Sequence, residues 1–284
     1  MLNFDEQLKT LVAAALKEDV GDGDHSTLSC IDVQAKGKAV LKIKQDGILA
    51  GVDVAERIFK MKDPSSIFIS HKKDGDVMKY GEKAFEVEAL VHIILQCERV
   101  VLNCMQRMSG IATLTHQYTE KIKEYKTKIL DTRKTTPNFR LLEKEAVRIG
   151  GGMNHRFGLY DMIMLKDNHI DYCGSIEKAI EKANAYIQLK KLDLKIEVET
   201  RNMEDVKKVM NVGKVDRIML DNFSPSQISE ALKIIDGRYE TEASGGINLD
   251  NIIDYAKTGV DFISIGALIH QAKSLDLSLK AVLI

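Results

Sequence analysis

Near its start the chain places Leu8, Leu11, Val12, Ala15 and Leu16 at i, i+3, i+4, i+7 and i+8, behind Asp5 and Glu6. That stripe predicts an amphipathic helix rather than a signal peptide. Short β-rich runs follow, such as Ala39–Lys44 and Ala84–Glu88, punctuated by Gly47, Gly51, Gly75 and Gly81 as turns would be. Residues 1 to about 105 therefore predict a small α+β layer domain. From about residue 106 strand-length apolar runs alternate with helical patterns, for example Ile176, Ala179, Ile180, Ala183 and Ile187 on one face. This is the βα alternation of a parallel sheet, with strands predicted over 128–131, 162–165, 195–199, 217–220, 239–243 and 262–265. Six strands are compatible with a closed barrel and equally with an open one.

The residues that follow those strands share a character. They are Thr132-Arg133-Lys134, Lys166, Glu199, Asp221, Ser244-Gly245-Gly246 and Gly266, and the last four recur about every 22 residues, one βα unit each. In a β/α barrel all such positions face one mouth, where active sites of this architecture lie. Phosphate binds there at the last two loops, where glycines expose backbone N–H groups to a following helix. The predicted mouth combines cations, two carboxylates and a phosphate cradle.

Charge sharpens this picture. Across 284 residues, 41 basic side chains face 42 acidic ones, so the net charge of −1 provides no global field for nucleic acid or an anionic membrane. No apolar run approaches the roughly 20 residues of a membrane span. Cys30, Cys97, Cys104 and Cys173 form no CxxC pair, which predicts reduced thiols in a cytoplasmic protein. Cations nevertheless cluster between Asp131 and His169, as suits a substrate with several carboxylates or phosphates. Within the cluster, Arg140, Lys144 and Arg148 stand at i, i+4 and i+8 and are expected on a solvated helix face. Arg133, Lys134 and Lys166 directly follow strands and are expected to point inward.

Other chemistries fit less well. Lys166 alone would suit a Schiff-base aldolase, but that reaction does not need flanking arginines and a phosphate cradle. Asp19–Asp24 looks superficially like a calcium loop, yet the sixth and twelfth positions hold Asp24 and Cys30 instead of glycine and glutamate. A capped turn is the better expectation there. A non-catalytic sugar-phosphate binder would be expected to lack one of Glu199, Asp221 or Lys134, and all three are present.

The most specific segments are DTRKTTP from Asp131, GGMNHRFGLYDM from Gly151 and LKDNH from Leu165. With Glu18–Asp24, Glu98-Arg99, Leu102-Asn103, Ser109–Thr113, Glu199, Leu220–Phe223, Ser244–Gly246 and Ile265-Gly266, they run in order along nearly the whole chain. In these elements the sequence closely resembles the quinolinate phosphoribosyltransferase family. It departs mildly at Asn138 and Ala89, where glycine is usual. The resemblance implies an N-terminal α+β sandwich-like domain over 1–105, then an open β/α barrel over 106–269, with the tail 270–284 packing on the first domain. It implies transfer of phosphoribosyl from 5-phosphoribosyl-1-diphosphate to quinolinate with decarboxylation, giving nicotinate mononucleotide, pyrophosphate and CO2 in NAD biosynthesis. A related phosphoribosyltransferase acting on another aromatic acid is the alternative.

By the same resemblance Arg133, His155, Arg156 and Lys166 surround quinolinate. Arg99 enters from the neighbouring subunit of a homo-oligomer, a dimer or a multiple of dimers. Glu199 and Asp221 hold Mg2+ or the ribose hydroxyls, and Lys134 and Lys166 face the diphosphate. Thr132, Ser244, Gly245, Gly246, Gly266, Ala267 and His270 complete the sugar-phosphate site. Lys134, Lys166, Glu199 and Asp221 form the expected catalytic set.

Overall fold

The opening helix starts where its cap dictates. Asn3 accepts from the Glu6 N–H while the Glu6 carboxylate accepts from the Asn3 N–H, a reciprocal cap for α1 (Phe4–Val20), which buries Leu8 and Val12. The acidic run after it ends in a capped turn, with Asp24 accepting from the Thr27 N–H at the start of α2 (His25–Cys30). This computed structural model describes residues 3–282. Two compact units emerge, one made of residues up to His116, Thr135–Gly151 and Leu268 onward, the other of Gln117–Lys134 and Gly152–Ala267.

In the first unit β1 (Lys36–Ile43), β2 (Gly47–Ile48), α3 (Val52–Lys62), β3 (Ile67–Ser70), β4 (Val77–Met78) and β5 (Lys83–Leu90) lead into the long helix α4 (Val91–Lys121). The main sheet is antiparallel in the order β12-β1-β5-β3, its outer strand β12 (Leu277–Val282) coming from the other end of the chain. Phe59 of α3 packs on Phe68 and Phe85 of the sheet with ring centroids 6.3 Å away, and those two rings lie 4.5 Å apart. Cys97 and Cys104 are buried on α4, where burial pushes their thiols up to about 11 and about 12.

Helix α5 (Arg140–Ile149) belongs to this unit. Its buried Glu143 accepts from Arg107 of α4 at 2.9 Å, and a Cβ on Gly150 would lie 2.5 Å from the Ala112 carbonyl, so the two helices meet closely. The solvated face expected for Arg140, Lys144 and Arg148 fails at Lys144, which is only 2% exposed. Four residues on, Arg148 does reach solvent, paired with Glu145. Because α5 packs into its unit on more than one side, the i+4 position is covered.

The second unit contains β6 (Lys128–Leu130), β7 (Ile163–Leu165), α6 (Asp167–Cys173), α7 (Ile176–Lys190), β8 (Ile196–Thr200), α8 (Met203–Val212), β9 (Arg217–Asp221), α9 (Pro225–Ile235), β10 (Glu240–Ser244), α10 (Ile252–Lys257) and β11 (Phe262–Ser264). α11 (Ala267–His270) follows. All pairings are parallel, in the order β6-β11-β10-β9-β8-β7. Met153 adds a bridge to Leu130 on the far side of β6 and no strand pairing joins it to β7, so the βα barrel is open there. Among the described residues no helix is long and apolar enough to cross a membrane.

Candidate active site

Alternation along a strand sends every second side chain to the same face. On β8 these are Glu197 and Glu199, on β9 Arg217, Met219 and Asp221, and on β10 Glu240, Glu242 and Ser244. Register pairs Glu197 and Glu240 with Arg217, Glu199 and Glu242 with Met219, and Ser244 with Asp221. The inward residues thus form levels, with Glu199, Asp221 and Ser244 at the carboxyl ends of their strands.

Glu199 is 8% exposed, and its pKa lies above the ordinary carboxylate range. Burial is the main cause, and the Asp221 charge adds to it while Lys166, with Nζ 3.7 Å from Glu199 Oε2, opposes it. Two carboxylates that repel each other beside a lysine form a donor set suited to Mg2+, a hard cation that takes oxygen ligands. Asp221 is not occupied as a helix cap. Ser224 caps α9, accepting from the Gln227 N–H while the Gln227 side chain accepts from Ser224.

Gly245 and Gly246 follow Ser244, the last residue of β10, both at positive φ, +93° and +66°. A Cβ on Gly245 would stand 2.1 Å from Asn222 Oδ1 and 3.0 Å from the Asn222 nitrogen. Only glycine lets the two loops touch. Asn222, itself at φ 58°, donates its N–H to the Ser244 carbonyl at 2.8 Å and its side-chain amide to Asp221 at 2.6 Å. Gly266 and Ala267 follow β11.

On the other side of this unit Asp131, fully buried at the end of β6, accepts from the His155 N–H at 2.8 Å and from Asn154 Nδ2 at 2.7 Å. One carboxylate therefore ties the DTRK loop to the NHR loop. Thr132 Oγ1 accepts from the Lys134 N–H, and Asp161 accepts from the Phe157 and Gly158 N–H groups. Arg156 donates to the Met162 carbonyl at 3.2 Å. Burial and then the Arg133 charge pull its pKa down from the ordinary arginine value, with Glu197 and Asp161 opposing. A pair of partly buried guanidiniums that repel each other is an arrangement an anion would relieve.

His155 is almost wholly covered. Its Nδ1 accepts from the Arg156 N–H at 2.7 Å, and its Nε2 lies 2.9 Å from Glu197 and 3.4 Å from Glu242. Arg217 links Glu242 at 2.9 Å to Glu240 and stacks over Phe262 at 4.2 Å. The second unit contains Thr132, Arg133, Lys134, His155, Arg156, Lys166, Glu199, Asp221, Ser244, Gly245, Gly246, Gly266 and Ala267, while exposed Arg99 on α4 and exposed His270 on α11 belong to the first. Sequence reasoning passed over Asp131, Glu197, Arg217 and Glu242. Only Glu197 and Glu242 carried a hint, a second charge two residues away on the same strand, and that hint does not tell a buried partner from solvent.

Comparison with known proteins gives these residues a context. Residues 111–280 match the model of the quinolinate phosphoribosyl transferase C-terminal domain, and residues 24–109 that of the N-terminal domain. A tobacco (Nicotiana tabacum) quinolinate phosphoribosyltransferase [decarboxylating] 1b is 44% identical over 288 residues, covering 96% of this chain and 82% of that protein. The chloroplastic nicotinate-nucleotide pyrophosphorylase [carboxylating] of Arabidopsis thaliana is 43% identical, with the same coverage. Among solved structures, NadC from Streptococcus pyogenes superposes with a TM-score of 0.90 at 42% identity over 99% of both chains. The nicotinate-nucleotide pyrophosphorylase of Francisella tularensis gives 0.89 at 38% identity, over 99% of this chain and 98% of that one. With both domain models matched in order and full-length relatives above 40% identity, the chain belongs to the quinolinate phosphoribosyltransferase family.

Proposed function

We propose that this protein transfers phosphoribosyl from 5-phosphoribosyl-1-diphosphate to quinolinate and decarboxylates the product, forming nicotinate mononucleotide, pyrophosphate and CO2 in NAD biosynthesis. The observation that carries the reading is the pairing of opposites in one unit. The Arg133–Arg156 pair wants an anion, and the Glu199–Asp221 pair wants a cation. A pyridine dicarboxylate answers the first, and a sugar diphosphate with its metal answers the second.

In this reading Arg133 and Arg156 clamp the ring carboxylates and turn the pyridine nitrogen toward the anomeric carbon. The catalytic gain is mainly alignment, since ribosyl transfer passes through an oxocarbenium-like state with charge leaving on pyrophosphate. Lys134 and Lys166 face the departing diphosphate, while Thr132, Ser244–Gly246, Gly266 and Ala267 hold the remaining phosphate and sugar. Glu199 and Asp221 would hold Mg2+, which neutralises diphosphate charge when bound. Once the ring nitrogen carries ribose, the C2–carboxylate bond breaks, its electron pair stays on C2 beside the ring cation, and CO2 departs. A proton from solvent then fills C2. The arginines should therefore grip the 3-carboxylate more tightly than the 2-carboxylate, which must leave.

The working form in this proposal is a homodimer, or a multiple of dimers, in which Arg99 of one subunit completes the neighbour's acid site. The setting is cytoplasmic, with no membrane or nucleic-acid partner. The decisive assay follows nicotinate mononucleotide and CO2 from quinolinate with 5-phosphoribosyl-1-diphosphate and Mg2+, beside nicotinate as competitor. Quinolinate should turn over and nicotinate should not. Comparable turnover of nicotinate, or of another aromatic acid in preference, would replace quinolinate as the substrate.

A further inference from the structure

Below the mouth, Glu197, Arg217 and Glu242 are buried on the inward face of the sheet, beneath the strand ends. Glu197 and Glu242 are both fully buried, on β8 and β10, with a strand between them. Each turns toward the same atom, Nε2 of His155, at 2.9 and 3.4 Å. Behind Glu242 stand Arg217 at 2.9 Å and the Ser264 side chain, which hydrogen-bonds it. From the end of β6, Asp131 holds the His155 N–H. Arg156 is the next residue in the chain, with Arg133 beside it. These are the charged groups that face the imidazole from the elements around it.

The ring's other nitrogen explains why such a cluster would be kept. Nδ1 accepts from the Arg156 N–H at 2.7 Å, and an N–H can donate only to a nitrogen without a proton. The ring proton must then sit on Nε2, which lies at charge-contact distance from both carboxylates although outside hydrogen-bond alignment. Reversing the tautomer would set N–H against N–H and release the Arg156 backbone.

We propose that Glu242 and Glu197 are positioning residues for the pyridine acid: through the His155 Nε2 proton they keep Nδ1 bare, and Nδ1 anchors the backbone from which the Arg156 guanidinium reaches substrate. The proposal rests on the reading that Arg156 holds quinolinate.

The test uses the full-length protein and its Glu242→Gln, Glu197→Gln, His155→Gln and Arg156→Ala variants. Nitrogen-15 NMR of histidine-labelled protein reads the tautomer, the His155 signal being the one lost in His155→Gln. Steady-state kinetics read KM for quinolinate and for 5-phosphoribosyl-1-diphosphate separately. In the wild type His155 should show a bare Nδ1. In Glu242→Gln that signature should change, and KM for quinolinate should rise about tenfold, the size of one charge-assisted hydrogen bond, with KM for the sugar diphosphate changed less than about twofold. If Glu242→Gln does not fold, Glu197→Gln decides by the same readouts.

An unaltered His155 signal, or equal losses on both substrates, would overturn the inference. If Arg156→Ala raises KM for quinolinate and neither carboxylate variant does, the inference alone falls. If Arg156→Ala leaves that KM unchanged, the substrate reading of Arg156 falls, and the inference falls with it.

Discussion

Glu86, on β5, accepts from Lys38, Lys83 and His71 together, and those bonds, Lys38 first, hold its carboxyl down at about 2 against an ordinary 4.5. A depressed carboxyl contributes stability that is full above its unfolded pKa and lost as pH falls through the folded one. The melting temperature of the wild type should therefore exceed that of Glu86→Gln at pH 6, and the gap should close between about pH 4.5 and about pH 2. A gap independent of pH would show that these bonds contribute nothing through ionisation. At the acid site, Arg133→Ala and Arg156→Ala should each weaken quinolinate binding by about 2–5 kcal/mol, the range for truncating one partner of a buried charge pair. Calorimetry should find binding of the sugar diphosphate far less affected. The places of Arg133, Lys166, Glu199 and Asp221 were legible in the sequence because each stands at the end of an apolar strand, whereas Arg156 was marked only by the family resemblance. Glu197 and Glu242 were not, since a charge inside a strand carries no sign of whether it meets solvent or a partner such as His155.

Among the elements, the strand-to-helix turns decide most. Gly245→Ala would force a Cβ onto Asn222 at φ +93°, costing about 1–3 kcal/mol in backbone strain before any clash. The variant should melt earlier and bind 5-phosphoribosyl-1-diphosphate more weakly, because Asn222 also donates to Asp221. Normal melting with normal binding would mean that the two loops move apart freely. Asp221→Asn removes one charge from the proposed metal pair while Ser224 keeps α9 capped, so the melting temperature should hold and the Mg2+ requirement should rise. An unchanged Mg2+ titration would remove Asp221 from that pair. The six barrel strands follow their sequence pattern to within a residue or two, as apolar runs bounded by turns allow. Helix α5 escaped in one respect: its i, i+4, i+8 cations read as a solvated face, and only packing around Lys144 reveals the cover.

At the scale of the whole molecule, the proposed exchange of Arg99 between subunits predicts complementation. Arg99→Ala and Lys166→Ala should each be nearly inactive, and mixing them under conditions of subunit exchange should restore about a quarter of the wild-type sites for random dimers. No recovery after demonstrated exchange would confine Arg99 to its own subunit. The order of synthesis adds a separate constraint. Strand β1 pairs with β12 from Lys38–Val282 to Ile43–Leu277, joining nearly the first strand made to the last. On the ribosome β1 can find β5 early but must wait for β12 to emerge before its other edge is covered, and an uncovered edge is a template for pairing with another chain. Nascent chains halted before Leu277 should therefore bind chaperones and self-associate, whereas chains that include β12 should not. β12 thus acts as a latch on the amino-terminal layer: until it is laid along β1, that layer stays open to a strand from another molecule.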